Sequence, residues 1–169
     1  MTLSMYQASV PVFLRAFDNL STILDKAAAF ATAKKIEPSV LINARLAPDM
    51  FALARQVQIV SDTTKGCVAR LAGIEIPSFA DTETTFADLK ERLAKTAAFI
   101  KSVSAVQIDG SEGKAITMKV GPTRELSFTG QSYLLTFVLP NLYFHVTATY
   151  AILRHNGVEI GKTDYLGAI

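Results

Sequence analysis

Residues 131–155 read QSYLLTFVLPNLYFHVTATYAILRH, and the reading of this stretch decides the fold. From Tyr133 to Leu153 it contains no Asp, Glu, Lys or Arg, which is about the length of a bilayer-spanning helix. Yet Thr136, Pro140, Asn141, His145, Thr147 and Thr149 load it with polar groups and a helix breaker. That load predicts the buried helix of a bundle and no membrane span. Leu134, Phe137, Phe144, Ala148 and Ala151 form one stripe, and Leu135, Val138, Leu142, His145, Thr149 and Ile152 form its neighbour. A helix apolar on nearly every side is expected to be the most enclosed of its domain. Pro140 cannot donate to the carbonyl of Thr136, so a bend is expected beside His145. Asn156-Gly157 ends the helix, with Arg154 and His155 near the negative end of its dipole.

Working outward, three further helices supply the enclosure. Leu3, Tyr6, Val10, Phe13, Phe17, Leu20, Leu24 and Ala27 alternate three and four apart and predict a helix over 3–34, with Pro11 an early position or a kink. Pro48 and Asp49 suit the start of a second helix carrying Met50, Leu53, Val57, Val60, Thr64, Cys67 and Leu71, which Gly73 stops. A third helix over 85–103 presents Phe86, Leu89, Leu93, Ile100 and Val103, with Thr96 the polar exception. Asp81, Thr82 and Thr84 are its alternative N-caps, and Glu91 and Lys95 are spaced for a surface ion pair. Between 105 and 130 the helical rhythm stops. Residues 115–120 and 125–129, about a turn at Gly121-Pro122-Thr123-Arg124, predict a β-hairpin that must lie on the helices. The tail from Val158 to Ile169 is expected to be packed coil. The fold class is therefore all-α: a four-helix bundle with a small β-hairpin inserted between helices three and four, as one domain over 1–169.

Composition removes several functions. The net charge is +2, the basic residues are scattered and tryptophan is absent, so no nucleic-acid footprint exists. A single cysteine, Cys67, allows neither an internal disulfide nor a cysteine-based metal cluster. The first residues show no cationic segment followed by an apolar core, so a cytoplasmic location is expected. The run Gly157-Val158-Glu159-Ile160-Gly161-Lys162-Thr163 ends like a phosphate loop. It has three residues between its glycines where four are needed, and it follows a helix.

Chemistry would have to centre on His145, the only histidine in mid-helix. It reads either as a ligand or general base in a cavity, or as a neutral core histidine hydrogen-bonded to a neighbouring helix. On helix two, Gln56, Gln58 and Asp62 are the polar candidates. Gln58 and Asp62, four apart, share a face and could project toward His145 or form an ordinary polar edge. Asn141 and Thr149 flank His145 by one turn on each side. The candidate ligand-binding residues are thus His145, Gln58, Asp62, Asn141 and Thr149. Gly66 in mid-helix hints at close approach or a cavity wall. Cys67 falls on the apolar stripe and reads as an inert buried thiol.

The run from Leu139 to Val158, followed by Gly161-Lys162 and Asp164-Tyr165-Leu166-Gly167, resembles a branch of the DinB-like superfamily of metal-dependent helical bundles, one made of domains of unknown function. Leu46-Ala47-Pro48-Asp49-Met50-Phe51, Gln56, Asp62 and Arg70-Leu71-Ala72-Gly73 resemble its second helix, so the similarity covers nearly the whole chain. The resemblance implies a four-helix bundle, often a homodimer, with a site between helices two and four. In metal-binding relatives three histidines hold a divalent ion such as nickel or zinc, one on helix two and a pair four apart on helix four. His145 matches the first of that pair; Thr149 stands at the second, and helix two has no histidine. With two histidines in the chain, that site is incomplete. The leading expectation is a bundle that binds a small apolar ligand in its interior near His145. The rival is a thiol transferase- or isomerase-like enzyme using a divalent metal on His145, Gln58 and Asp62.

Overall fold

The computed structural model describes residues 3–121 and 123–168. Helix α1 (Val10–Lys34) starts seven residues later than the spacing suggested, because residues 5–9 form turns. Pro11 then occupies the first helical turn, where its missing N–H costs nothing. After the short α2 (Pro38–Ile42), the chain turns through 47–50 and enters α3 (Leu53–Ala72). Pro48 and Asp49 are thus in the turn and do not begin the helix. The entry is fixed instead by Leu53 N–H donating to Ala44 O (3.0 Å) and by Gln56 Nε2 donating to Phe51 O (3.0 Å). Gly73 ends α3 at φ 72°, a left-handed cap that favours glycine.

Helix α4 (Phe86–Lys101) opens with Thr85 as its N-cap, not Asp81, Thr82 or Thr84. Thr85 Oγ1 accepts from Asp88 N–H while the Asp88 carboxylate accepts from Thr85 N–H, a reciprocal capping box. Glu91 and Lys95 form no ion pair; Lys95 Nζ lies 4.6 Å over the Phe79 ring instead. A short α5 (Ala105–Ile108) follows where no helix was expected.

The hairpin is present as β1 (Ala115–Val120) and β2 (Arg124–Thr129), antiparallel with Ala115 opposite Thr129. Pro122 of its turn lies outside the described residues. The hairpin is seated on the helices by Ile116, which is buried, and by Phe128, whose ring centroid is 5.6 Å from that of Tyr133.

The fourth long helix runs from 130 to 155 in three parts: α6 (Gly130–Ser132), a π-helical segment (Tyr133–Val138) and α7 (Leu139–His155). The tail is not all coil, since α8 (Lys162–Leu166) folds back on α1. Arg15 donates from Nε and Nη2 to Leu166 O (3.2 and 2.9 Å) and from Nη2 to Ala168 O (2.9 Å). Asn19 donates to Tyr165 O, and Lys26 pairs with Asp164 at 2.6 Å.

One apolar core joins Phe13, Phe17, Leu20 and Leu24 of α1 with Val57, Val60 and Leu71 of α3, Leu89 and Leu93 of α4, and Leu142 and Ile152 of α7. The expectation that the fourth helix is the most enclosed fails. Thirteen of the twenty residues of α3 are buried, against seven of seventeen in α7. Phe144 is 57% exposed, and Tyr143 and, in the π-helical segment, Leu135 are exposed as well. The apolar side chains of α7 thus exceed what its neighbours cover. No described helix is long and apolar enough to cross a membrane.

Candidate functional site

The geometry around His145 begins with Pro140. Its ring removes the bond to Thr136 that an α-helix would make there. The bend expected from the sequence takes the form of a π-turn: Leu139 N–H reaches Leu134 O, five residues back, and Pro140 falls in the first turn of α7. From this restart, α7 turns Leu142, His145, Val146, Thr149, Ile152 and Leu153 inward and leaves Tyr143 and Phe144 outside.

His145 is buried against α3, with Nδ1 2.6 Å from Gln56 Oε1. The Gln56 amide nitrogen already donates to Phe51 O, so its oxygen faces the ring. Nδ1 therefore carries the proton, and Nε2 keeps its lone pair. Burial lowers the imidazole pKa below the usual histidine value, and the positive charge of Arg55 adds to that. The ring is accordingly neutral at pH 7. Phe144 stacks edge-on against it, with centroids 5.2 Å apart. This is the hydrogen-bonded core histidine that was one of the two readings of the sequence.

Helical geometry sorts the other candidates. Thr63 follows Gln56 by seven residues, so both lie on one face of α3. Asn141 Nδ2 donates to Thr63 Oγ1 (2.8 Å) as His145 meets Gln56, an antiparallel pair of polar bridges between α3 and α7. Thr149 turns its hydroxyl back to His145 O (2.9 Å). Gln58 lies two residues from Gln56, about 200° around the helix, and Asp62 shares its side. The structure therefore brings Asn141, Thr149 and Gln56 to His145, and not Gln58 or Asp62.

Those two join a different cluster. Gln58 Nε2 donates to Glu83 Oε2 (2.8 Å). Asp62 pairs with Lys65, and with Arg92 Nη2 at 2.9 Å. Arg92, its side chain 1% exposed, also meets Glu83 (2.9 Å), Asp81 (3.0 Å) and Ala80 O (3.0 Å). These bonds fasten the coil of residues 77–85 across α3 and α4. Burial alone would raise the Glu83 pKa. Its hydrogen bonds from Arg92 and Gln58 outweigh that and hold it below the usual carboxylate range. Sequence reasoning missed Arg92, although its position three after Leu89 and four before Thr96 puts it inside the buried arc of α4.

The donors present do not fit a divalent metal. Among the described residues no group of three or more His, Cys, Asp or Glu side chains could hold one. Around His145 the nearby polar groups are an amide already bonded at both ends, a hydroxyl bonded to a carbonyl and the cationic Arg55, none of which offers a free metal donor. Cys67 is buried, and that burial pushes its thiol pKa well up, with Arg70 only partly opposing. It is no nucleophile in this state.

What the site region does offer is an apolar groove on the outer side of α7. Leu46, Met50, Pro140, Tyr143, Phe144 and Ala148 line a volume of about 390 Å³, and Phe51 is exposed on the adjoining turn.

A family model described as a domain of unknown function, DUF1993, matches residues 5–166. The crystal structure of a DinB family member protein from Shewanella denitrificans is similar over 97% of this chain and 92% of that one, at 43% identity and a TM-score of 0.88. No curated protein matches the chain.

Proposed function

The chain belongs to the DUF1993 family of DinB-like helical bundles, and on that premise we propose that it binds a small apolar ligand in the groove on the outer face of α7. The observation that carries this reading is the gathering of three exposed large apolar side chains, Leu46, Tyr143 and Phe144, in one groove next to His145. Solvent-exposed apolar area gathered in a concave patch marks a binding surface more often than chance exposure does. The reading moves the expected interior site outward. His145 positions the groove from beneath: its bond to Gln56 fixes the turn of α7 that projects Phe144. A second copy of the chain docking on the same apolar patch is the competing reading that the test must separate.

The test is a titration with the fluorescent apolar probe 1-anilinonaphthalene-8-sulfonate, followed by sedimentation over a range of protein concentrations. Saturable binding in the wild type should weaken several-fold in Phe144→Ser and Leu46→Ser, with no fall in melting temperature, because both side chains are exposed. Equal probe binding in wild type and both variants overturns the ligand reading. A dimer that Phe144→Ser dissociates, together with a monomer that binds no probe, assigns the patch to self-association instead.

A further inference from the structure

Gly66 has no part in that groove. A glycine is disfavoured in a helix interior relative to alanine, so its place in α3 calls for a reason. A Cβ at Gly66 would lie 2.6 Å from Arg70 Nη1 and 3.7 Å from Arg70 Cζ. The missing side chain is therefore what lets Arg70 fold back along α3. There its Nη1 donates to the buried Tyr133 phenol at 3.0 Å. Burial pushes the Tyr133 pKa up to about 12, so the phenol stays neutral and leaves the guanidinium charge uncompensated. Among the described residues no carboxylate lies within ion-pair distance of Arg70. Four of its five N–H donors find no side-chain partner there.

The neighbouring cation is also under-neutralised. The Lys65 side chain is 7% exposed and its carboxylate is Asp62, which Arg92 shares at 2.9 Å. Lys65 Nζ lies 4.6 Å over the Phe79 ring. Lys65, Gly66 and Arg70 form one wall of a groove of about 410 Å³, and Ile76, Pro77 and Phe79 form the other. Among the described residues Asp62 is the only carboxylate lining it; Glu83, Asp88 and Glu91 line a separate cleft that shares Phe79.

We propose that this groove binds a small oxyanion, a carboxylate or a phosphate, carried on a flat apolar body. Arg70 and Lys65, which both line the groove, take the anionic group: a guanidinium with unbonded donors and an ammonium are the groups that planar or tetrahedral oxyanions seek. Phe79, Pro77 and Ile76 take the body. This site is independent of the apolar groove on α7 and would stand if that reading failed.

The experiment is an NMR titration of the ¹⁵N-labelled full chain with inorganic phosphate, phenyl phosphate and benzoate, with sodium chloride at matched ionic strength as the control. Saturable shifts of the Lys65, Gly66, Arg70 and Phe79 amides are expected, tighter for a ring-bearing anion than for inorganic phosphate. Saturation by phenyl phosphate alone assigns a phosphate, and by benzoate alone a carboxylate. Arg70→Gln should weaken binding about tenfold or more, the loss of a charge-assisted fork. Gly66→Ala keeps every charge and favours the helix, yet its Cβ displaces the guanidinium. It should weaken binding comparably, while the folded chain stays intact by its amide spectrum. Shifts that chloride reproduces, shifts that never saturate, or wild-type affinity in both variants would overturn the proposal.

Discussion

Replacing Arg92 with methionine isolates the cluster that fastens residues 77–85, because methionine keeps much of the aliphatic stem and removes the charge. The side chains of Arg92 and Glu83 are 1% and 9% exposed, so their pair is largely shielded from water. Removing one partner of such a pair leaves a buried charge and costs about 3–5 kcal/mol. Asp62 and Asp81 are 36% and 43% exposed and rehydrate once released, so each adds only about 0–1 kcal/mol. The expected total is about 3–7 kcal/mol, most of it from Glu83. A domain near the middle of the usual range of roughly 5–15 kcal/mol stays folded after that loss and remains measurable. With a urea dependence of roughly 2 kcal/mol per molar, the midpoint should fall by about 1.5–3.5 M.

Acid supplies an internal check on the same pair. The folded pKa of Glu83 is lowered, so its contribution is present above the unfolded value and is lost as pH falls through the folded value. The gap between wild type and Arg92→Met should therefore narrow on acidification, while amide exchange across 79–85 quickens in the variant at neutral pH. A midpoint shift below about 0.5 M at pH 7 would refute the reasoning, since it would mean that Glu83 rehydrates as freely as the two aspartates.

Three further outcomes follow from the same geometry. Because the His145 pKa is lowered, folding stability should decline as pH falls from about 6.5 toward the folded value; urea midpoints of His145→Gln across that range should be flatter than wild type. Gly130→Ala should be destabilising by about 1–3 kcal/mol, the range for overpacking, as its Cβ would lie 2.0 Å from the backbone oxygen of Ser111; thermal denaturation measures it, and an unchanged midpoint would contradict the close approach. Thr85→Ala should cost about 1 kcal/mol through loss of the α4 cap, whereas Thr82→Ala should leave the urea midpoint unmoved.

Much of the bundle was legible because apolar spacing reports which face is covered. Of the stripe Met50, Leu53, Val57, Val60, Thr64, Cys67 and Leu71, all but Met50 are buried, and Met50 lies in the turn before α3. Boundaries were less legible. Pro48 is as good a helix opener as any, yet the backbone bond from Leu53 to Ala44, set by tertiary folding, decides where α3 starts. The fourth helix misled for a different reason: hydropathy states what a side chain prefers, and Phe144 and Tyr143 are apolar without being covered. At the candidate site, His145 and its helical neighbours were found from position alone. Its partner was not singled out, because Gln56, Gln58 and Asp62 are chemically similar in a list and separate only when rotated about the α3 axis. Glu83 and Asp81 lie in coil, where no periodicity points them at Arg92.

The fastening of the C-terminal segment to α1 has a mechanical consequence. Its attachments run in opposite order along the two elements, Leu166 at Arg15, Tyr165 at Asn19 and Asp164 at Lys26. Tension applied between Val10 and Ala168 therefore meets these attachments one after another, as a zipper does, and never as a set loaded in parallel. The segment 161–168 should peel away at low force, guanidinium first and ammonium last, before the packing of α1 on α4 carries any load. Pulled from Val10 and His155, the same molecule bypasses the zipper and should resist until the bundle itself gives way.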